Sequence, residues 1–287
     1  MLKKVLLVLM LLPGLTQADL GSSFAPENDE KRPVLKSSPK AINGMTKEIF
    51  NEILDRVKDV YEPLVAEQGA VFEIQRDWSN STVNAYAQQI GNRWIIKMFG
   101  GLARHEKITP DGFALVACHE MGHHLGGAPL YAHVRWASNE GQADYYTTLK
   151  CSRKIWENDD NVAIINQRIT DGKVDEYALK ACGDIYSNAE EKAICVRAAM
   201  GGFALGTLLG HLGRTGDVDF QTPDKKVVTR TQDRHPHAQC RLDTYFQAAL
   251  CSVSHDINPD IKSETIGMCT RAEKYSVGNR PLCWYRP

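Results

Sequence analysis

Along this chain the apolar positions change period several times, and each change predicts an element. Residues 19 to 44 (DLGSSFAPENDEKRPVLKSSPKAING) show no apolar period and are rich in proline and serine, which predicts a flexible leader. From Met45 onward Ile49, Phe50, Ile53, Leu54, Val57, Val60, Tyr61 and Leu64 recur at three and four residues, the spacing of an amphipathic helix of about five turns. AVFEIQRDW, STVNAYAQQI and RWIIKMF follow, short stretches rich in β-branched and aromatic residues. The last two are joined by Gly91-Asn92, and together the three predict a small antiparallel sheet. Gly100-Gly101 breaks the sheet. A helix then opens near Pro110, carries Phe113, Leu115 and Val116 on its first turns, and ends at Gly126-Gly127. Trp136 to Cys151 predicts a second helix, with Ser138 or Asn139 as its N-cap.

Beyond Cys151 the pattern is mostly helical. It comprises Val162 to Ile169, Val174 to Tyr186, and a segment opened by Ser187-Asn188 that runs into AMGGFALGTLLGHLG, an apolar stretch too short and too glycine-rich to predict a membrane span. A polar loop leads to a final helix, QCRLDTYFQAALC, and a cysteine-bearing tail. The predicted fold class is therefore α+β and mainly helical, one domain over residues 45–287 with a helical insertion at about 152–220.

Composition narrows the function classes. With 43% hydrophobic and 24% charged residues, a net charge of −1 and no long lysine or arginine run, nothing points to nucleic acid or a membrane surface as partner. The N-terminus does change the picture. Residues 1–18 combine Lys3 and Lys4, an apolar run from Val5 to Leu15 and the exit Thr16-Gln17-Ala18, the pattern of a secretory signal peptide cleaved after Ala18. That predicts a periplasmic or secreted protein, in which the eight cysteines pair as four disulfides. On the order of a hundred complete pairings are open. Cys182 with Cys195 and Cys269 with Cys283 are the short-range candidates, and Cys118 is expected to bridge to another helix. The absence of any C-x-x-C pair argues against a four-cysteine zinc site.

The densest chemistry lies in HEMGHHLGG. His119 and His123 stand four apart, so on a helix both imidazoles leave one face about a turn apart and can grip one ion, with Glu120 beside them as a general base. A catalytic zinc needs a third protein ligand. The eleven-residue pattern ending in a third histidine puts Pro129 at that place, and His124 points about 100° away round the helix. Glu140, on the second predicted helix, is the remaining candidate, and Asp144 four positions on can fix the tautomer of His119 from behind. The prediction is one zinc per chain, held by His119, His123 and Glu140. His105, His133, His211 and His255 are read as structural or solvated.

H-E-x-x-H followed by Asn139-Glu140-Gly141-Gln142-Ala143-Asp144 resembles the gluzincin peptidases of the HtpX and CAAX prenyl protease type. The likeness extends over residues 45 to 245 and is strongest from 83 to 146. It takes in VNAYA (Val83 to Ala87), RWIIKMF, and a downstream His235-Pro236 with Arg241-Leu242. The membrane-spanning members differ from this chain, so its soluble, exported members are the nearer comparison. The resemblance implies a small sheet packed on the H-E-x-x-H helix and a second ligand helix. It also implies that His235 donates to the oxyanion and that Arg241 supports that side of the site. His237, two residues from His235, is equally available. A polypeptide substrate is expected to lie along an edge strand formed by Trp94, Ile95, Ile96, Lys97, Met98 and Phe99. The expected activity is zinc-dependent endopeptidase. The alternatives are a zinc-binding chaperone or assembly factor of the cell envelope with little turnover, and a disulfide-rich interaction module without metal. Glu120 speaks against the first, because zinc binding alone needs no carboxylate there; the H-E-x-x-H spacing speaks against the second.

Overall fold

The computed structural model of the chain describes residues 22–34 and 43–287. The predicted signal peptide and residues 19–21 and 35–42 of the predicted leader lie outside the described residues. The fold is α+β, with helices in the majority and one small sheet. Helix α1 (Lys47–Glu67) starts where Thr46 accepts a hydrogen bond from the backbone of Ile49, and buries Phe50, Leu54, Val57, Tyr61 and Val65 on one face.

Strands β2 (Val71–Asp77), β3 (Ala85–Ile90) and β4 (Arg93–Phe99) join the short β1 (Ser22–Ser23) in the order β1-β3-β4-β2. The sheet is mixed, which corrects the antiparallel expectation. β3 and β4 form the antiparallel hairpin that Gly91-Asn92 predicts, but residues 78–84 first carry the chain past one strand's width. β4 returns into that gap and lies parallel to β2, with Ile96 opposite both Ile74 and Ala87. β4 is thus an interior strand, and Trp94 to Phe99 present no free edge to a peptide.

After the single turn α2 (Gly100–Ala103) comes α3 (Pro110–Leu125), opened by Thr109, whose side chain accepts from the backbone of Gly112. It carries the H-E-x-x-H residues and is buried on nearly every face. Helix α4 (Glu140–Tyr146) is capped by Asn139 and runs on through a π-helical turn, Thr147–Cys151, into α5 (Ser152–Trp156). α3 and α4 meet backbone to backbone: a Cβ on Gly122 would lie 2.8 Å from the Cα and carbonyl oxygen of Ala143, so only glycine permits the approach.

Helices α6 (Asn161–Thr170) and α7 (Glu176–Ile185) flank α8 (Ala189–Gly213), and α9 (Ala238–Ala249) closes the far side. The stretch read as an insertion contains a core element. α8 lays Gly201 on Leu115 of α3 and Gly202 on Tyr245 of α9. Among the described residues α8 alone is long and apolar enough to cross a membrane, and 78% of its apolar window is buried inside the molecule. Asp111, in the first turn of α3, receives Arg197 of α8 through two 3.0 Å hydrogen bonds, and Arg168 of α6 at 2.7 Å.

Residues 22–34 depart from the leader expectation. Phe24 and Ala25 are buried, Asn84 holds Ala25 by its N–H and its carbonyl, and Arg32 is paired with Glu106. The composition of the segment is polar, but one phenylalanine and a sheet edge suffice to fix it.

All eight cysteines are paired, as Cys118–Cys151, Cys182–Cys195, Cys240–Cys283 and Cys251–Cys269. Cys182–Cys195 agrees with expectation, as does the helix partner of Cys118. Cys269–Cys283 does not form: Cys283 reaches α9, and Cys269 closes on Cys251 just after it. The last two bridges tie the tail to α9 around a second small core that includes Tyr145, Leu149 and Trp284.

Cys118–Cys151 joins the two helices that carry the site, across 33 residues. A Cys118→Ser/Cys151→Ser double variant is expected to lose about 3–4 kcal/mol of stability, measured by urea unfolding, from the loop-closure entropy restored to the unfolded chain. Non-reducing peptide mapping of the wild type should recover a peptide containing both residues.

Candidate metal centre

His119 and His123 emerge from α3 one helical turn apart, and Glu140, the first residue of α4, faces them across the Gly122–Ala143 contact. His119 Nε2 lies 3.1 Å from His123 Nε2 and 3.3 Å from Glu140 Oε2. Donors held at about 2.1 Å from a tetrahedral ion are about 3.4 Å apart, so the spacing fits one metal ion. The three residues form a group that could hold one.

The proton assignments favour the same conclusion. His123 Nδ1 is 2.8 Å from the carbonyl of Ser138, which can only accept, so Nδ1 carries the proton and Nε2 offers a lone pair. Asp144 Oδ1 lies 2.8 Å from His119 Nδ1 and sets that ring the same way. Two lone pairs and a carboxylate oxygen then converge in a dry space, an arrangement that repels itself unless a cation sits within it. Burial works against charge on His119, but Asp144 and Glu140 outweigh it and lift its pKa to about 9. Burial takes His123 down to about 4. Burial also raises Glu140, yet His235, His123 and His119 hold it well below the carboxylate range.

Asp144 is itself clamped. Arg241 gives it Nε and Nη2 at 2.7 Å each, and Tyr245 its hydroxyl at 2.5 Å. Arg241 therefore stands behind His119, bonded to Asp144 and to the carbonyl of Phe24. Its bonds to Asp144 make Arg241 a positioning residue for His119.

His235 does face the ligands, with Nε2 3.2 Å from Glu140 Oε2 and 2.7 Å from the carbonyl of Ser23. His237 is exposed at the N-cap of α9 and makes no capping bond. The geometry separates two histidines that the sequence leaves equivalent.

His124 is turned away from the cluster, as its place on the helix predicts. It is stacked between Trp94 and Trp136, bonded to Gln89 and the carbonyl of Ile95, and pushed down to about 3 by burial. Glu120 is fully buried, and among the described residues neither of its oxygens has a hydrogen-bond partner. Desolvation, with the nearby Glu140, outweighs the attraction of His119 and raises its pKa to about 8. Glu140 Oε2 lacks a hydrogen-bond partner too, whereas Glu140 Oε1 is satisfied by the hydroxyls of Tyr131 and Ser22.

Tyr131 and Ser22 were not legible as site residues. Tyr131 sits in a loop with no period, stacked on His123, and Ser22 lies in the polar leader. The expected substrate strand, Trp94 to Phe99, is flanked by β3 on one side and β2 on the other.

Glu30, His105 and His211 form a second acidic–imidazole group, but it already contains a cation. Arg32 Nη2 is 2.5 Å from Glu30 and 3.3 Å from His105 Nε2. His105 Nδ1 moreover accepts from the backbone of Lys107, which leaves the proton on the nitrogen a metal would need.

If His119, His123 and Glu140 are the ligands, His123→Ala loses most bound zinc by elemental analysis after dialysis. Asp144→Ala, which leaves the donors in place but frees His119, weakens binding by about ten- to a hundred-fold. Full occupancy in His123→Ala refutes the ligand set.

No family model, no curated protein and no solved structure matches this chain, so what the centre does has to follow from its own donors.

Proposed function

We propose that the chain is a zinc-dependent endopeptidase of the gluzincin type, acting outside the cytoplasm. The observation that carries the proposal is Glu120. A fully buried carboxylate with neither oxygen hydrogen-bonded costs several kcal/mol to maintain, and a site that only binds metal gains nothing from it. As the neighbour of two imidazole ligands it has a use in proton transfer. Two imidazoles and a carboxylate suit zinc among the common divalent ions.

Zinc held there would lower the pKa of a coordinated water and polarise the carbonyl to be attacked. The protein's own groups supply the rest. Glu120 takes the proton of the attacking water and passes it to the leaving amine. His235, whose Nε2–H already donates to a backbone carbonyl, stabilises the oxyanion of the tetrahedral intermediate. Arg241 and Asp144 keep His119 oriented. Because β4 is interior, the polypeptide substrate is assigned to the outer side of β3. Four disulfides accord with an oxidising compartment.

A second reading, a metal-holding chaperone or assembly factor of the cell envelope with little turnover, draws support from the burial of every ligand. Casein cleavage separates the two. Glu120→Gln is expected to keep zinc and lose nearly all hydrolysis, since an amide cannot take the proton. His235→Ala should keep zinc and fall in kcat by on the order of a hundred-fold with little change in KM, while His237→Ala stays near wild type. Equal rates for wild type and Glu120→Gln would leave the chaperone reading in possession of the site.

A further inference from the structure

A catalytic metal needs one coordination position open to water and substrate, yet His119, His123, Glu120 and Glu140 are all buried. The chain's own residues 22–25 lie against them, Ser22 on Glu140 and Phe24 on His119. β1 lies antiparallel on the outer side of β3, with Ser22 opposite Ala87, Ser23 opposite Tyr86, and the Phe24 N–H bonded to the Ala85 carbonyl at 3.0 Å. This is how an extended peptide adds to a sheet edge.

The side chains and carbonyls complete the likeness. Ser22 Oγ donates to Glu140 Oε1 at 2.6 Å and lies 3.0 Å from the Tyr131 hydroxyl. The carbonyl of Ser23 accepts from His235 Nε2 at 2.7 Å, the bond assigned above to the oxyanion. The carbonyl of Phe24 accepts from Arg241 at 2.6 Å, and the Phe24 ring sits between the Arg241 guanidinium, 4.8 Å away, and the edge of His119, 5.5 Å away.

We infer that residues 22–25 are an intramolecular occupant of the substrate-binding edge, and that a polypeptide gains the metal centre by displacing Ser22 and Ser23 from β3. The inference rests on the peptidase reading for what the edge binds. The segment divides into an anchor and a tip. Phe24 is wholly buried, Asn84 clasps Ala25 at both backbone groups, and Arg104 binds the carbonyl of Arg32 further along. Ser22 and Ser23 bury no apolar side chain, so they exchange with an incoming strand of equal hydrogen-bonding capacity while Phe24 stays seated. A bulkier residue at position 22 would have to leave the buried place beside Glu140 and Tyr131.

The test uses the full, zinc-loaded protein and two probes: acetohydroxamate, which reaches only the metal, and a capped dialanine hydroxamate, which needs the strand edge as well. Hydrogen exchange is followed at residues 22–25, and affinity by calorimetry, for wild type, Ser22→Ala and Ser22→Trp. In wild type the dialanine probe is expected to speed exchange at the amides of Ser22 and Ser23 by at least about ten-fold, to the exposed limit, while that of Phe24 stays protected. Acetohydroxamate should leave exchange at Ser22 and Ser23 unchanged. Ser22→Trp, whose indole has no room beneath Tyr131, should bind the dialanine probe at least about ten-fold more tightly, and Ser22→Ala by a smaller factor, with zinc content unchanged.

Amides of Ser22 and Ser23 that stay protected with the dialanine probe bound overturn the inference, whether or not the variants fold. Loss of zinc in Ser22→Ala overturns it also, since Ser22 would then be holding Glu140 in place. Displacement of the tip in a protein that never cleaves casein upholds the occupancy and removes the peptidase. Casein cleavage with the tip still protected does the reverse.

Discussion

One buried carboxylate organises this molecule. Asp144 has no contact with solvent, and an ionised group so placed must be met by charge and hydrogen bonds from the protein. It is met by Arg241 from α9, Tyr245 one turn later, and His119 from α3, while Arg241 spends its remaining nitrogen on the backbone of residue 24. Four separate parts of the chain are therefore committed to one point. Displacing any of them strands a charge, which costs more than losing an equal area of apolar contact. The orientation of His119, and with it the ligand geometry, is a by-product of that commitment.

The same point shows what the sequence could and could not convey. His119, His123, Glu140 and Asp144 were legible because their relations are local: four residues along one helix, four along the next, and a cap at Asn139 that fixes where the second begins. The partner of Asp144 lies 97 residues further on, and the hydroxyl on Glu140 comes from 118 residues before it. No period records such a pairing. Arg241 could be named only through a resemblance, which carries nothing of its pairing with Asp144.

The sheet fails in a similar way. The hairpin of β3 and β4 follows from its turn, but the strand order depends on how far residues 78–84 carry the chain before it returns, and nothing in their composition measures that distance. Residues 22–34 were misread because disorder is inferred from an average, and here the average is polar while one buried phenylalanine decides the outcome. Burial on all sides likewise hid the role of α8, whose glycines read as breaks in a pattern and serve as contact points for Leu115 and Tyr245.

The disulfide connectivity bears on how the chain is made. Cys118–Cys151 and Cys182–Cys195 each join cysteines that follow one another in the sequence, so a chain oxidised in order of synthesis closes both without error. Cys240 and Cys283 enclose Cys251 and Cys269. Oxidation in the same order joins Cys240 to Cys251, and the native nest is reached only by thiol–disulfide exchange. The N-terminal two thirds of the molecule, with the α3 and α4 segments already stapled, thus matures by sequential oxidation alone, whereas the tail that backs α4 and α9 has to pass through exchange of a non-native bridge if it is oxidised in the same order.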